Sequence, residues 1–297
     1  MTTAVCAFPA NTSFGEKLGA ELEAATVRLT FRRFPDGESY LRYEEPVAGR
    51  EIAIVCTLND PDSKALALLF AARTAKELGA VRVGLVAPYL SYMRQDRRFQ
   101  DGEAVTSVHF ARLISAEFDW LITVDPHLHR RKSLAEIYTI PAAAVPASPA
   151  LATWISANVA KPLVVGPDSE SEQWAAEVAE ACGAPYVVMS KRRLGDRHVE
   201  IDAPPLARWN DRTPVLLDDI VSSARTMALA LKRIAEQGLP PAVCVGVHGV
   251  FSGDAMTTLR EAGAAKIVTT NTIEHPSNAI DVSSLVARQV ERFRTAV

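Results

Sequence analysis

Short β-branched runs alternate with longer amphipathic segments along almost the whole chain, and that alternation excludes most folds. Residues 52–57, 81–87, 120–124, 163–165, 186–189, 215–217, 243–247 and 266–269 are apolar runs of strand length, as expected for strands covered on both faces. Helical periodicity fills the gaps over 64–78, 105–118, 172–182 and 226–237, and Gly79, Gly183 and Gly238 follow as C-terminal caps. Strands joined through helices run parallel with right-handed crossovers. The chain therefore predicts an α/β fold of mainly parallel sheets flanked by helices, with ligands beyond the carboxyl ends of the strands. Three prolines and no periodicity mark 140–149 as a linker, which predicts two halves, 1–145 and 146–297. At 297 residues and 48% hydrophobic, the chain can bury two cores.

The densest chemical signal lies at 215–226, Val-Leu-Leu-Asp-Asp-Ile-Val-Ser-Ser-Ala-Arg-Thr. An apolar strand ends in two carboxylates, and a hydroxyl-rich turn opens a helix. Asp218 and Asp219 can accept hydrogen bonds from a sugar diol. The turn amides, the hydroxyls of Ser222, Ser223 and Thr226, and the positive helix end suit a phosphate. Taken alone, the run also fits a surface turn whose serine caps a helix. A formal net charge of -3 provides no global basic field for nucleic acid or an acidic membrane, so ligand charge must be met locally. Cys6, Cys56, Cys182 and Cys244 have neither metal nor thioredoxin spacing and read as small buried hydrophobes in a reducing compartment. Without an apolar run long enough to span a bilayer or a leader-like start, the expected location is the cytoplasm.

Four further segments stand in register with that turn: Phe34-Pro35-Asp36-Gly37-Glu38, Tyr92-Met93-Arg94-Gln95-Asp96-Arg97-Arg98, Val124-Asp125-Pro126-His127 and Ser190-Lys191-Arg192-Arg193. Together the five segments resemble the ribose-phosphate pyrophosphokinase (phosphoribosyl pyrophosphate synthetase) family over nearly the whole chain. The turn alone is shared with type I phosphoribosyltransferases, the less favoured reading, which have no need of the ATP motifs in the first half. The resemblance implies two type I phosphoribosyltransferase-like domains, with the last helix able to return to the first. It implies transfer of the diphosphoryl group of Mg-ATP to ribose 5-phosphate, and a homo-oligomer, a dimer or a hexamer, with no nucleic-acid or membrane partner. A non-catalytic, synthetase-associated subunit is the alternative, and the retention of Lys191, Arg193, His127 and Asp218 counts against it.

Read residue by residue, the resemblance assigns Phe34, Asp36, Gly37 and Glu38 to the adenosine of ATP bound by a neighbouring subunit. By local chemistry alone this is a Pro-Asp-Gly turn between strands. Arg94, Gln95 and Asp96 fall to the ATP phosphates, although such a charged run is ordinarily a solvated face. His127 and Asp168 are the implied Mg2+ ligands; the residues themselves would allow His129 in place of His127. Lys191 and Arg193 match the catalytic flexible loop, with Arg192 facing the other way if the segment is extended. Asp218 and Asp219 hold the ribose, while Ser222, Ser223, Ala224, Arg225 and Thr226 hold its 5-phosphate. Two departures from the family pattern stand out: Ser169-Glu170-Ser171-Glu172 after Asp168 in place of glycines, and Arg225 in place of a glycine able to adopt unusual backbone geometry.

Overall fold

The computed structural model describes residues 2–193 and 199–295, which divide into two compact units. The first comprises Met1–Val145, Thr272–Glu274 and Ser283–Val297; the second comprises Pro146–Asn271 and His275–Val282. The first unit runs β1 (Thr3–Ala7), α1 (Thr12–Glu21), β2 (Ala25–Thr26), β3 (Leu29–Arg33), β4 (Ser39–Tyr43), β5 (Glu51–Val55), α2 (Ala65–Glu77), β6 (Arg82–Ala87), α3 (Thr106–Glu117), β7 (Trp120–Val124) and β8 (Ala142–Val145). The second runs α4 (Ser148–Asn158), β9 (Pro162–Gly166), α5 (Glu172–Cys182), β10 (Tyr186–Val188), β11 (Ser190–Arg193), β12 (Val199–Asp202), β13 (Thr213–Val221), α6 (Arg225–Glu236), β14 (Val243–Gly249), α7 (Ala255–Glu261), β15 (Lys266–Thr270) and β16 (Asn278–Ile280). The final helix, α8 (Ser283–Thr295), belongs to the first unit.

Each unit holds a six-stranded parallel sheet, ordered β2-β1-β5-β6-β7-β8 and β10-β9-β13-β14-β15-β16. The strand order reverses at β1 in one sheet and at β9 in the other, and ligands of such sheets bind outside the carboxyl ends at these reversals. Both units also insert an antiparallel hairpin after their second sheet strand, β3-β4 in the first and β11-β12 in the second. Burial explains the strand runs: β5, β7 and β14 are buried at every residue, as strands covered on both faces must be.

The stretch 140–149 is not a free linker. Ala142 to Val145 pair with Leu121 to Val124 as the edge strand β8, and α4 starts at Ser148 with Pro149 in its first turn. An edge strand leaves one row of N–H groups outside the ladder, and the first turn of a helix needs no N–H from proline, so these prolines break no hydrogen bond. The division into units falls beside them, at Val145.

Opposite the ligand end, the first residues of four strands converge. Glu51 is only 2% exposed and accepts hydrogen bonds from Thr3 Oγ1 (3.1 Å) and Trp120 Nε1 (2.9 Å) while pairing with Arg82 Nη1 at 3.2 Å. Arg82 also donates to the Phe293 carbonyl of α8 at 3.1 Å, and the Phe293 ring meets Trp120 edge-on at 6.0 Å. The Trp120 indole fills the space a β-carbon would take on Gly84, so no other residue fits there.

Backbone strain collects at the other end. Among the described residues, six of the eight non-glycine residues with positive φ, Ala10, Asp60, Tyr92, Asp125, Ala224 and Phe251, lie in segments that leave the carboxyl end of a sheet strand. Such conformations cost about 1–3 kcal/mol each and persist where the surroundings over-determine them, commonly at ligand sites.

Candidate active site

In the second unit, acids gather at the reversal between β9 and β13. The pairing of β13 with β9 ends at Leu216↔Val165, but β13 continues along β14 to Val221↔Gly249. The strand expected over 215–217 thus runs on through the acidic pair. Asp218 and Asp219 stand beyond the end of the β9 ladder, and Asp168 follows β9 by two residues. The Asp218 carboxyl is raised well above the ordinary carboxylate range, first by desolvation and then by repulsion from Asp219 and Asp168. Local amides hold the trio in place: Asp218 Oδ1 accepts from Asp219 N (3.1 Å), Asp219 Oδ1 from Ile220 N (2.8 Å) and Asp168 Oδ1 from Glu170 N (3.1 Å). Hydroxyl donors or a cation would relieve the remaining repulsion.

That repulsion gives a prediction with two signs. A carboxyl whose folded pKa is raised stabilises the fold below its unfolded pKa and penalises it as pH rises, so at neutral pH ionisable Asp218 is a cost. Asp218→Asn should therefore raise the stability of the ligand-free protein by about 1 kcal/mol, the size common when an active-site compromise is removed. The gain should shrink as pH falls toward about 4, the unfolded carboxylate range, and be absent below it. Thermal melts at pH 7 and pH 4 measure it, and a destabilised Asn variant at pH 7 would refute it.

The turn after β13 explains the missing glycine. Ala224, not Arg225, takes the left-handed conformation (φ 58, ψ 5), and Arg225 is the first residue of α6 with an exposed side chain. The conformational cost expected at Arg225 therefore does not arise, because helical φ suits any side chain with a β-carbon. Ala224 supplies no side-chain cap to α6, so the first-turn amides keep their capacity for an anion. Ser222 Oγ lies 3.2 Å from Ser252 Oγ, and Ser252 N donates to the Ser222 carbonyl at 3.1 Å, fixing the turn to the segment after β14. Ser223 is exposed, while Ser222 and Thr226 are half-buried. The acidic departure after Asp168 forms a short 3-10 turn, Ser169–Ser171, in which Glu170 is exposed, as is Glu172 at the start of α5. Lys191 and Arg193 lie on β11, paired with Ile201 and Val199 of β12; the remainder of the expected catalytic loop, 194–198, falls outside the described residues.

In the first unit, the β3-β4 turn closes through Phe34 N to the Glu38 carbonyl (2.8 Å) and Gly37 N to the Phe34 carbonyl (2.9 Å), with Gly37 at φ 94. Asp36 Oδ1 accepts from Glu38 N at 3.2 Å, so this carboxylate helps shape the turn. Phe34 is 39% exposed at the tip, and the Arg32 guanidinium lies 4.5 Å from its ring centroid and 4.3 Å from that of Tyr40.

The run Arg94 to Asp96 follows β6, and its members do different work. Arg94 is exposed. Gln95 joins the start of α3, accepting from Thr106 Oγ1 at 3.0 Å through its side chain and from Ser107 N at 3.3 Å through its carbonyl. Asp96 faces Arg130 Nη1 at 3.0 Å, and the Asp96 carbonyl accepts from Arg131 Nη2 at 3.2 Å. The loop after β6 is thereby tied to the loop after β7, where the His127 and His129 rings meet edge-on at 3.7 Å. Asp125, with φ 32, turns the chain between β7 and these imidazoles.

Arg130 and Arg131 are the residues that reading the sequence overlooked. The signal was present: His-Leu-His-Arg-Arg-Lys at 127–132 is a basic run leaving a strand's carboxyl end, the same logic that singled out Arg94. Cys6, Cys56 and Cys244 are buried, and desolvation pushes each thiol up to about 12, which makes them packing residues and not nucleophiles. Among the described residues no helix is long and apolar enough to cross a membrane.

Comparison with known proteins adds an independent line. Residues 3–117 match the model of the N-terminal domain of ribose phosphate pyrophosphokinase, and residues 133–286 match that of the phosphoribosyl transferase domain. The ribose-phosphate pyrophosphokinase of Methanopyrus kandleri is 33% identical over 282 residues, covering 94% of this chain and 95% of that protein. Its counterpart in Sulfurisphaera tokodaii is 33% identical over 287 residues, covering 95% and 98%. Among solved structures, the phosphoribosylpyrophosphate synthetase of Mycobacterium smegmatis superposes with a TM-score of 0.86 at 22% identity, covering 100% of both chains, a likeness of fold.

Proposed function

Because the chain belongs to the ribose-phosphate pyrophosphokinase family, we propose how its residues divide the work of that reaction. The protein is an ATP-dependent transferase that moves the β,γ-diphosphoryl group of ATP to the 1-hydroxyl of ribose 5-phosphate. The sugar oxygen bonds to the β-phosphorus, the α–β bridge breaks, the hydroxyl proton is given up, and AMP leaves with 5-phosphoribosyl 1-pyrophosphate as the other product. Positioning and charge neutralisation carry most of such a transfer.

Asp218 and Asp219 accept hydrogen bonds from the ribose hydroxyls, and Ser222 to Thr226 with the α6 amides hold the 5-phosphate. The observation that carries this assignment is the repelling acid trio beside a helix start without a side-chain cap: one end wants donors, the other an anion. A sugar phosphate offers both. Arg94 reads the ATP phosphates, with Gln95 and Asp96 holding its loop, and Phe34 with Asp36, Gly37 and Glu38 forms the adenosine contact. Lys191 and Arg193 neutralise the charge that builds on the transferring group.

Mg2+ prefers oxygen, which the Asp168 carboxylate would supply in the second unit; in the first, the His127 imidazole offers nitrogen and would need phosphate oxygens and waters to complete the shell. Bound there, the ion supplies neutralisation of the phosphate charge. The exposed Phe34 tip favours a homo-oligomer in which the hairpin serves a neighbouring copy, and the buried, unpaired thiols favour the cytoplasm. Release of AMP that depends on ribose 5-phosphate tests the reaction, and ATP turnover indifferent to the sugar would refute it.

Phe34→Ala separates the two substrates. Base stacking on an aromatic ring is worth about 1–3 kcal/mol, so KM for ATP should rise by roughly that equivalent while KM for ribose 5-phosphate stays put. Equal weakening of both would assign Phe34 to folding instead.

A further inference from the structure

The geometry points to a positioning pair, Tyr92 and Asp62, that aims Arg94 at ATP; the inference rests on the assignment of Arg94 to the ATP phosphates. Tyr92 adopts φ 61, a conformation rare for a bulky side chain, between the buried Ser91 and Met93. This left-handed step comes two residues before exposed Arg94 and turns the chain out of the core toward the ligand end of the sheet.

Two contacts hold Tyr92 in that conformation. Its hydroxyl donates to the Asp62 carboxylate, and its ring packs on Phe110 of α3 at 4.7 Å. The bond to Asp62, with desolvation, pushes the phenol up to about 12, so the hydroxyl keeps its proton and remains a donor at neutral pH.

Asp62 is an exposed residue of the short turn Pro61–Ser63 between β5 and α2, a segment whose backbone is itself tied down and to which no ligand contact is assigned. The ammonium of Lys64 donates to the Thr57 carbonyl (3.0 Å), the Asn59 carbonyl (2.7 Å) and Asn59 Oδ1 (2.7 Å), three acceptors for its three protons. The loop before Tyr92 is stitched to the same segment, because Tyr89 N donates to Thr57 Oγ1 at 3.1 Å and Leu58 N to the Tyr89 carbonyl at 2.9 Å. Next to Asp62, the Ser63 carbonyl accepts from Arg33, the neighbour of Phe34 in sequence. One anchored turn therefore braces both the Arg94 loop and the adenosine hairpin. A merely packing role for Tyr92 would need its ring alone.

The test is steady-state kinetics of Tyr92→Phe, which keeps the ring and removes the donor. KM for ATP should rise roughly three- to tenfold, the equivalent of losing one hydrogen bond of ordinary net strength at an exposed position. Turnover and KM for ribose 5-phosphate should stay within about twofold, and the melting temperature should be nearly unchanged. Asp62→Ala should match it, Asp62→Asn should recover most of the loss by keeping an acceptor, and the Tyr92→Phe/Asp62→Ala double variant should be no worse than either single. Arg94→Ala serves as the reference. If it leaves KM for ATP unchanged, the assignment of Arg94 fails. If it raises KM for ATP while Tyr92→Phe does not, the positioning pair fails, as it also does if Tyr92→Phe lowers stability and impairs both substrates alike.

Discussion

Lys191→Ala is expected to turn over about a hundred- to a thousandfold more slowly, the usual loss when one preorganised donor to a developing charge is removed. KM for ATP should change far less, because the lysine is assigned to charge that appears only as the β-phosphorus is attacked. The location supports such a role: Lys191 lies on the hairpin that follows β10, in the unit that carries the acid trio. Rapid quench of a single turnover isolates chemistry from product release. A near-normal single-turnover rate would remove Lys191 from the transition state and leave Arg193 as the cation to test.

Glu51→Ala should produce the largest loss of stability, about 3–5 kcal/mol, because truncating one member of a buried ion pair strands the other. Arg82, whose side chain is only 17% exposed, would lose its carboxylate partner, and Trp120 Nε1 would lose its acceptor inside the core. Stabilities of whole domains run to about 5–15 kcal/mol, so the first unit would approach the edge of folding. Glu51→Gln keeps an oxygen for Trp120 and should lose less. Urea unfolding measures both, with a loss below about 1 kcal/mol in the Ala variant as the contrary result. Because the cluster sits at the amino ends of the strands, KM values of the folded fraction should not move.

Legibility in the sequence followed burial. Strands covered on both faces, such as Trp120–Val124, are nearly continuous β-branched or aromatic runs, and 172–182 reads as a helix with the bounds α5 has. Edge elements were another matter. The Ala-Ala-Ala-Val of β8 has no strand signature, since half its ladder is absent and little side-chain packing is required of it. Helix α1 hides because two of its buried residues are Gly15 and Gly19, which reduce hydrophobic periodicity; a β-carbon on Gly15 would meet Ala7 at 2.6 Å. In the candidate site, strand-end carboxylates and the hydroxyl turn could be read directly. Long-range pairs could not. Nothing in the local chemistry of Asp62 or Arg130 announces Tyr92 or Asp96, because tertiary structure alone makes those pairs neighbours.

The return of α8 to the first unit has a consequence for how the protein is made. Trp120, Arg82 and Glu51 are translated before the second unit, but Phe293, which closes over them, is translated after it. The entire second unit is synthesised in between, an interval on the order of ten seconds at about 5–20 residues per second. Until then the first unit lacks the segment that closes over its strand starts, so its folding cannot be completed before the second unit has been made. A ribosome stalled just before α8 would thus display a product that has made its assigned catalytic residues and still lacks a finished first half.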